Sequence, residues 1–192
     1  PGTGVRAVWA ACSDAGCSID GNRKTNQDSF LVEMPKADGP ELLVGVFDGH
    51  GEHGHHVSRQ CKAQFGGLLK RQIPSHPDLA SATSAAFVEQ DHQCTVALDC
   101  SQSGTTAVTC HLIADGLSGK VSITTAWAGD SRAVLAQVKA DSGVVTKDLS
   151  NDQKPERPDE KARIERCGGV CEPVFDDRGQ PCGPMRVWYL AQ

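Results

Sequence analysis

Residues 42–47, LLVGVF, form a continuous apolar run of strand length that stops abruptly on Asp48, Gly49, His50 and Gly51. An unbroken run of this kind suits a strand buried on both faces, although periodicity alone leaves a short helix open. Past the glycines the period changes. Val57, Cys61, Phe65, Leu68 and Leu69 recur at the spacing of one helix face, and Pro74 ends the pattern. Residues 78–98 predict a second helix, with Leu79, Ala82, Ala86, Phe87 and Cys94 near one stripe. The order of these features suggests a strand, then a tight turn, then an amphipathic helix.

Strands are predicted on either side of this unit. Residues 5–11 and 29–34 read as strands around the turn-rich DGNRKTNQD, and SGTTAVTCHLI, VSITTAWAG, AVLAQV and VVTKDL read as four more. The connections DGLSG, GDSR and DSG have turn composition. PDEKARIERCGG predicts a helix with Pro158 and Asp159 in its first turn. Arg163 and Arg166 suit its last turn, and Gly168 its left-handed cap. VCEPVF and MRVWYLAQ complete the strands across a DDRG turn. Strands bracketing helices, joined by tight turns, argue for a mainly antiparallel α+β layered fold.

At 192 residues the chain fits one domain, residues 1–192, or most of one. It opens at Pro1, which suggests a trimmed start, and stops at Gln192 directly after an apolar run, which reads as truncation. The net charge of −5 and the lack of a basic block argue against nucleic-acid binding. No apolar stretch reaches the length of a membrane span. Nine cysteines, an odd number scattered through strand-like and helix-like segments, suit free thiols and a reducing intracellular location. Cys167, Cys171 and Cys182 suggest zinc but lack a fourth ligand at finger spacing.

The chemistry-bearing residues each have a plain alternative. Asp48, held at a strand end, and the Gly49 carbonyl could supply oxygen ligands to a hard cation such as Mg2+ or Mn2+, but Asp-Gly is also an ordinary turn. Arg23, Gln27 and Asp28 lie at the entry to a strand that could run beside it. An arginine fork matches phosphate oxygens, and Asp28 adds a second carboxylate. Asp130 follows Gly129 in a further acidic turn that a simple hairpin also explains. His53, His55 and His56 suggest zinc, with solvated histidines at a helix start as the simpler reading.

Taken together, RKTNQDSF, VFDGHG, SGTTAV, AGDSRAVL, KPERPDEKARIERCGG and RVWYLAQ resemble the metal-dependent protein phosphatases of type 2C, in the family's order and over nearly the whole chain. The resemblance implies a four-layer α-β-β-α sandwich of two mainly antiparallel sheets, incomplete at the C-terminus. It implies a protein serine/threonine phosphatase in which water bridging two Mg2+ or Mn2+ ions attacks phosphorus. Asp48 would bridge the ions, the Gly49 carbonyl would complete one coordination sphere, and Asp28 would bind metal or orient its water. Arg23 would hold the phosphoryl oxygens and His50 would act as general acid. Asp130 matches a position that supports a further ion in some members. Phosphorylated proteins are the implied substrates, the cytosol or nucleus the expected location, and a monomer the expected state.

This chain departs from the pattern in two places. Gln27 stands where many members have Glu, so its contact to metal is expected through water and the affinity of that ion is expected to be weaker. Two further metal-binding aspartates of the family are expected beyond Gln192. Their absence from this chain gives the alternative of a catalytically incomplete fragment or pseudophosphatase that acts as a binding module. The segment CEPVFDDRGQPCGP sits where the family carries a variable flap.

Overall fold

A computed structural model describes residues 5–34, 40–139 and 143–189. They fall into two compact units, residues 1–150 and 151–192. The first is built on a five-stranded antiparallel sheet with β1 (Asp28–Glu33), β2 (Glu41–His50), β4 (Ala107–Ala114) and β5 (Val121–Ala128) in that spatial order. A short β3 (Gly104–Thr105) pairs with the last residues of β2, Gly49 opposite Thr105 and His50 opposite Gly104. The apolar run is thus the body of β2, flanked by β1 and β4.

Burial of that strand differs from the expectation. Leu43, Gly45, Phe47 and Gly49 are buried on one face, whereas Val46 on the other is 46% exposed. The covered face meets α1 (Gly54–Gln72) and α2 (Leu79–Ala97). Val57, Cys61, Phe65, Leu68 and Leu69 of α1 are all buried there, as their spacing predicts, and so are Ala82, Ala86 and Cys94 of α2. Phe65 sits between Phe47 and Phe87, at ring-centroid distances of 6.4 Å and 5.1 Å, the second pair edge to face. Pro74 falls in a 3-10 turn at Ile73–Ser75 after α1. Asp78 caps α2 by accepting from the Ser81 N–H at 2.7 Å.

Two other expectations change. Residues 5–11 form no strand; apart from the isolated bridge between Cys17 and Arg23, the segment before β1 makes no ladder among the described residues. The GDSR turn is not a hairpin either. β6 (Val134–Lys139) pairs with β7 (Gly143–Asp148) in a separate two-stranded sheet, so residues 129–133 carry the chain out of the five-stranded sheet. Asp141 and Ser142 of the DSG turn lie outside the described residues, as do residues 190–192 of the last predicted strand.

The second unit comprises α3 (Pro158–Arg166), β8 (Gly169–Phe175) and β9 (Pro181–Tyr189), with β8 and β9 antiparallel. α3 carries Asp159 and Glu160 in its first turn and Arg163 and Arg166 in its last, complementing the helix dipole. Gly168 then takes φ +84°, the left-handed conformation expected of the cap. Among its described residues Ile164 and Cys171 are the buried apolar side chains, and Gly169 lies so close that an added Cβ would be 2.7 Å from Ile164. Asp176 closes the β8–β9 turn by accepting from the N–H groups of Arg178 and Gln180. The fold class is α+β with antiparallel sheets, as expected.

Phe65 and Phe47, each 1% exposed, make a buried aromatic contact between helix and sheet. Phe65→Ala is expected to cost about 3–5 kcal/mol of stability, read by urea unfolding. A loss below about 1 kcal/mol would show that this contact does not anchor the core.

Candidate active site

Register determines what meets at the end of β2. Asp28 is the cross-strand partner of Asp48, and Phe30 of Val46, so both carboxylates lie on the sheet face away from the helices. Like charges directly opposite one another repel. Asp48 responds: partial burial first, then the charge of Asp28, then that of Asp130 hold its carboxyl above the ordinary carboxylate range, while His50 acts in the opposite direction. Three acidic residues from distant segments, together with His50, are therefore within electrostatic reach of one strand end.

The backbone around Asp48 is fastened on both sides. Its carbonyl accepts from the Thr106 N–H at 2.8 Å and its N–H donates to the Thr106 hydroxyl at 3.2 Å. The same Thr106 hydroxyl lies 2.6 Å from that of Ser131, in the turn carrying Asp130. Gly129, at φ +98°, lets that turn approach: a Cβ there would lie 2.8 Å from the Thr106 methyl. Gly49 is a second close approach, since an added Cβ would sit 2.5 Å from both the Gln27 and the Gly54 carbonyl oxygens. On the helix side, Ser58 is fully buried and donates to the Gln27 carbonyl at 2.6 Å, with its oxygen 3.2 Å from that of Ser29. Ser58 thereby ties α1 to the entry of β1, next to Asp28.

The remaining expected residues occupy different surroundings. Gln27 uses its amide nitrogen to donate to the Gly51 carbonyl at 2.6 Å, bracing the turn after His50. The His50 ring packs over Gly104, where a Cβ would be 2.9 Å from its Nε2. Arg23 is largely exposed and forms an ion pair with Asp14. Ser58, Thr106 and Ser131 are site residues that sequence reasoning did not single out. Thr106 and Ser131 lie inside motifs that were recognised, whereas Ser58 had only its position on the buried stripe as a signal.

Two adjacent carboxylates with a third nearby and a strand-end carbonyl are hard oxygen donors, the set that suits Mg2+ or Mn2+. The Asp48 carboxyl is raised first by burial and then by the charges of Asp28 and Asp130; a divalent cation would offset those charges, so the residues present fit such an ion. Among the described residues, no group of three or more His, Cys, Asp or Glu side chains is gathered closely enough to hold a metal by itself. That holds for His53, His55 and His56, whose rings lie 4.0 Å and 6.2 Å apart, and for Cys167, Cys171 and Cys182.

A group that prefers its protonated form in the fold contributes stability when protonated, and that contribution is lost as pH rises through its raised pKa. Asp28→Asn removes the largest charge acting on Asp48. In chelator, the Asp48 midpoint followed by carboxyl NMR is expected to move down toward the ordinary 3.8. An unchanged midpoint would show that the two carboxylates do not interact.

The Protein phosphatase 2C family model matches residues 13–181. The chain is 34% identical to "Probable protein phosphatase 2C 35" of Arabidopsis thaliana, over 98% of this chain and 53% of that protein. It is 36% identical to "Probable protein phosphatase 2C 64" of Oryza sativa subsp. japonica, over 88% of this chain and 39% of that protein. The chain thus spans about half or less of the length of these curated relatives. Its fold is shared with a serine-threonine phosphatase 2C from Toxoplasma gondii, at TM-score 0.65 and 24% identity, covering 88% of this chain and 57% of that one. A C. elegans sex determining protein gives TM-score 0.64 at 24% identity, over 86% and 38% of the two chains. These likenesses carry the α+β sandwich fold, and the match along the sequence carries the family: the chain belongs to the protein phosphatase 2C family.

Proposed function

We propose that this chain supplies the Asp48 side of the active site of a divalent-metal-dependent protein serine/threonine phosphatase. The observation that carries the reading is the cross-strand pair of Asp28 and Asp48, with Asp130 and His50 acting on the same carboxyl. Family membership supports it, since metal dependence is a general property of these phosphatases.

Asp48, Asp28 and the Gly49 carbonyl would hold Mg2+ or Mn2+, two ions in the family pattern, with Gln27 in contact through water and Asp130 available to a third. Such ions, when bound, neutralise phosphate charge and acidify water for attack on phosphorus. The chain's own residues orient and protonate. Thr106 fixes the Asp48 backbone, and Gln27 fixes the turn that follows His50. His50 gives a proton to the departing serine or threonine oxygen, a task for which histidine is suited near neutral pH. Arg23 holds phosphoryl oxygens after leaving Asp14; an ion pair so exposed offers little resistance to that exchange. Phosphorylated proteins are the substrates of this reading and the cytosol or nucleus its location. No described helix is long and apolar enough to cross a membrane.

The full-length protein is expected to hydrolyse a phosphoserine or phosphothreonine peptide only with Mg2+ or Mn2+. Asp48→Asn is expected to lower kcat by at least about 100-fold, on the scale of losing a principal transition-state contact. Turnover that persists in chelator or in the Asp48 variant would overturn the proposal. A folded protein with no metal-dependent turnover would favour the binding-module reading.

A further inference from the structure

Away from the carboxylates, α1 and α2 bring two buried sulfurs together. The Sγ atoms of Cys61 and Cys94 lie 3.8 Å apart, and both residues are only 4% exposed. They form part of the wall of a cavity of about 280 Å3 that Phe47, Phe87, Cys100 and Gln90 also line. We propose that Cys61 and Cys94 are a dithiol centre that hydrogen peroxide, entering this cavity, oxidises to a disulfide joining α1 to α2. The inference does not depend on the phosphatase reading.

Three features support it. The sulfurs are already in van der Waals contact, and closing to a bond of about 2.05 Å needs a side-chain adjustment for which the adjoining cavity leaves room. The pair also has an asymmetry. Cys94 accepts from the Gln90 amide nitrogen at 3.4 Å and is also paired with the Cys61 thiol, where either sulfur can donate. Hydrogen bonding to Cys61 and Gln90 pulls the Cys94 thiol down to about 7, while the bond to Cys94 and burial push the Cys61 thiol up. Cys94 is thus the nucleophile and Cys61 the resolving thiol. Finally, Gln90, whose amide nitrogen donates to Cys94, is 5% exposed and lines the same cavity, so the Cys94 sulfur and its polar neighbour border the space that peroxide would enter.

The steps balance. The Cys94 thiolate attacks one peroxide oxygen, forming an S–O bond as the O–O bond breaks, and the departing hydroxide takes the Cys61 proton to become water. The Cys61 thiolate then attacks the Cys94 sulfur. The S–S bond forms, the S–O bond breaks, and the second hydroxide leaves as water after taking a proton from solvent. Each sulfur loses one electron, and the peroxide is reduced to two waters.

The test is thiol mapping of the reduced chain after stoichiometric hydrogen peroxide, with alkylation in denaturant and peptide mass analysis. The expected result is the loss of Cys61 and Cys94 as alkylation sites and a single cross-linked peptide containing both. In Cys61→Ser, Cys94 is expected to be trapped by dimedone as a sulfenic acid. If that variant does not fold, the cross-linked peptide in the unsubstituted chain still decides the matter. A Cys94–Cys100 bridge would overturn the proposal. So would oxidation confined to the exposed Cys12, Cys17, Cys167 and Cys182 while Cys61 and Cys94 remain alkylatable.

Discussion

The pairing of Asp28 with Asp48 across β1 and β2 is an unfavourable contact that the rest of the first unit holds in place. Two carboxylates directly opposite in an antiparallel pair repel. A slip of one residue would separate them, but it would also turn Leu31 of β1, or else Leu43 and Phe47 of β2, away from the helices. Burial of the apolar run therefore fixes a register that places like charges together. In physical terms, the fold holds the electrostatic strain at the strand end and the core keeps it there.

The surrounding contacts direct that strain. Thr106 occupies both backbone groups of Asp48 and reaches Ser131, so the Asp130 turn is tied to the same point. Ser58 connects α1 to the Gln27 carbonyl, and the absence of a Cβ at Gly49 lets the Gln27 and Gly54 backbones close around it. The helix that seals the core is thus also the helix that positions the carboxylates. Packing of Phe65 between Phe47 and Phe87 is coupled through α1 to the place where charge accumulates.

Much of this was legible in the residues. The stripe from Val57 to Leu69 fixed α1 because only one helix face could meet the sheet, and Gly168 marked the end of α3 because its conformation suits glycine. Long-range pairing was harder to read. Residues 5–11 have a strand-like composition but no strand partner among the described residues, and the run at 42–47 did not disclose that one of its faces would be half open at Val46. The GDSR turn has hairpin chemistry, yet β6 pairs with β7 and not with β5, a choice made by tertiary contacts. At the site, the acidic residues were found through recognisable motifs. Ser58 was not, because a small hydroxyl on an apolar stripe carries no visible signal until its partner, the Gln27 carbonyl, is known. Arg23 was singled out for phosphate, and in the structure it rests on Asp14.

The proposed role of the negative charge gathered around Asp48 is to receive a divalent cation. Calorimetric titration of Mn2+ into the full-length protein and its Asp48→Asn variant, both shown to be folded, addresses that claim without relying on catalysis. The account predicts saturable Mn2+ binding by the unsubstituted protein and at least about a 10-fold weaker affinity in the variant, equivalent to about 1.4 kcal/mol. Equal affinity in the two proteins would contradict it.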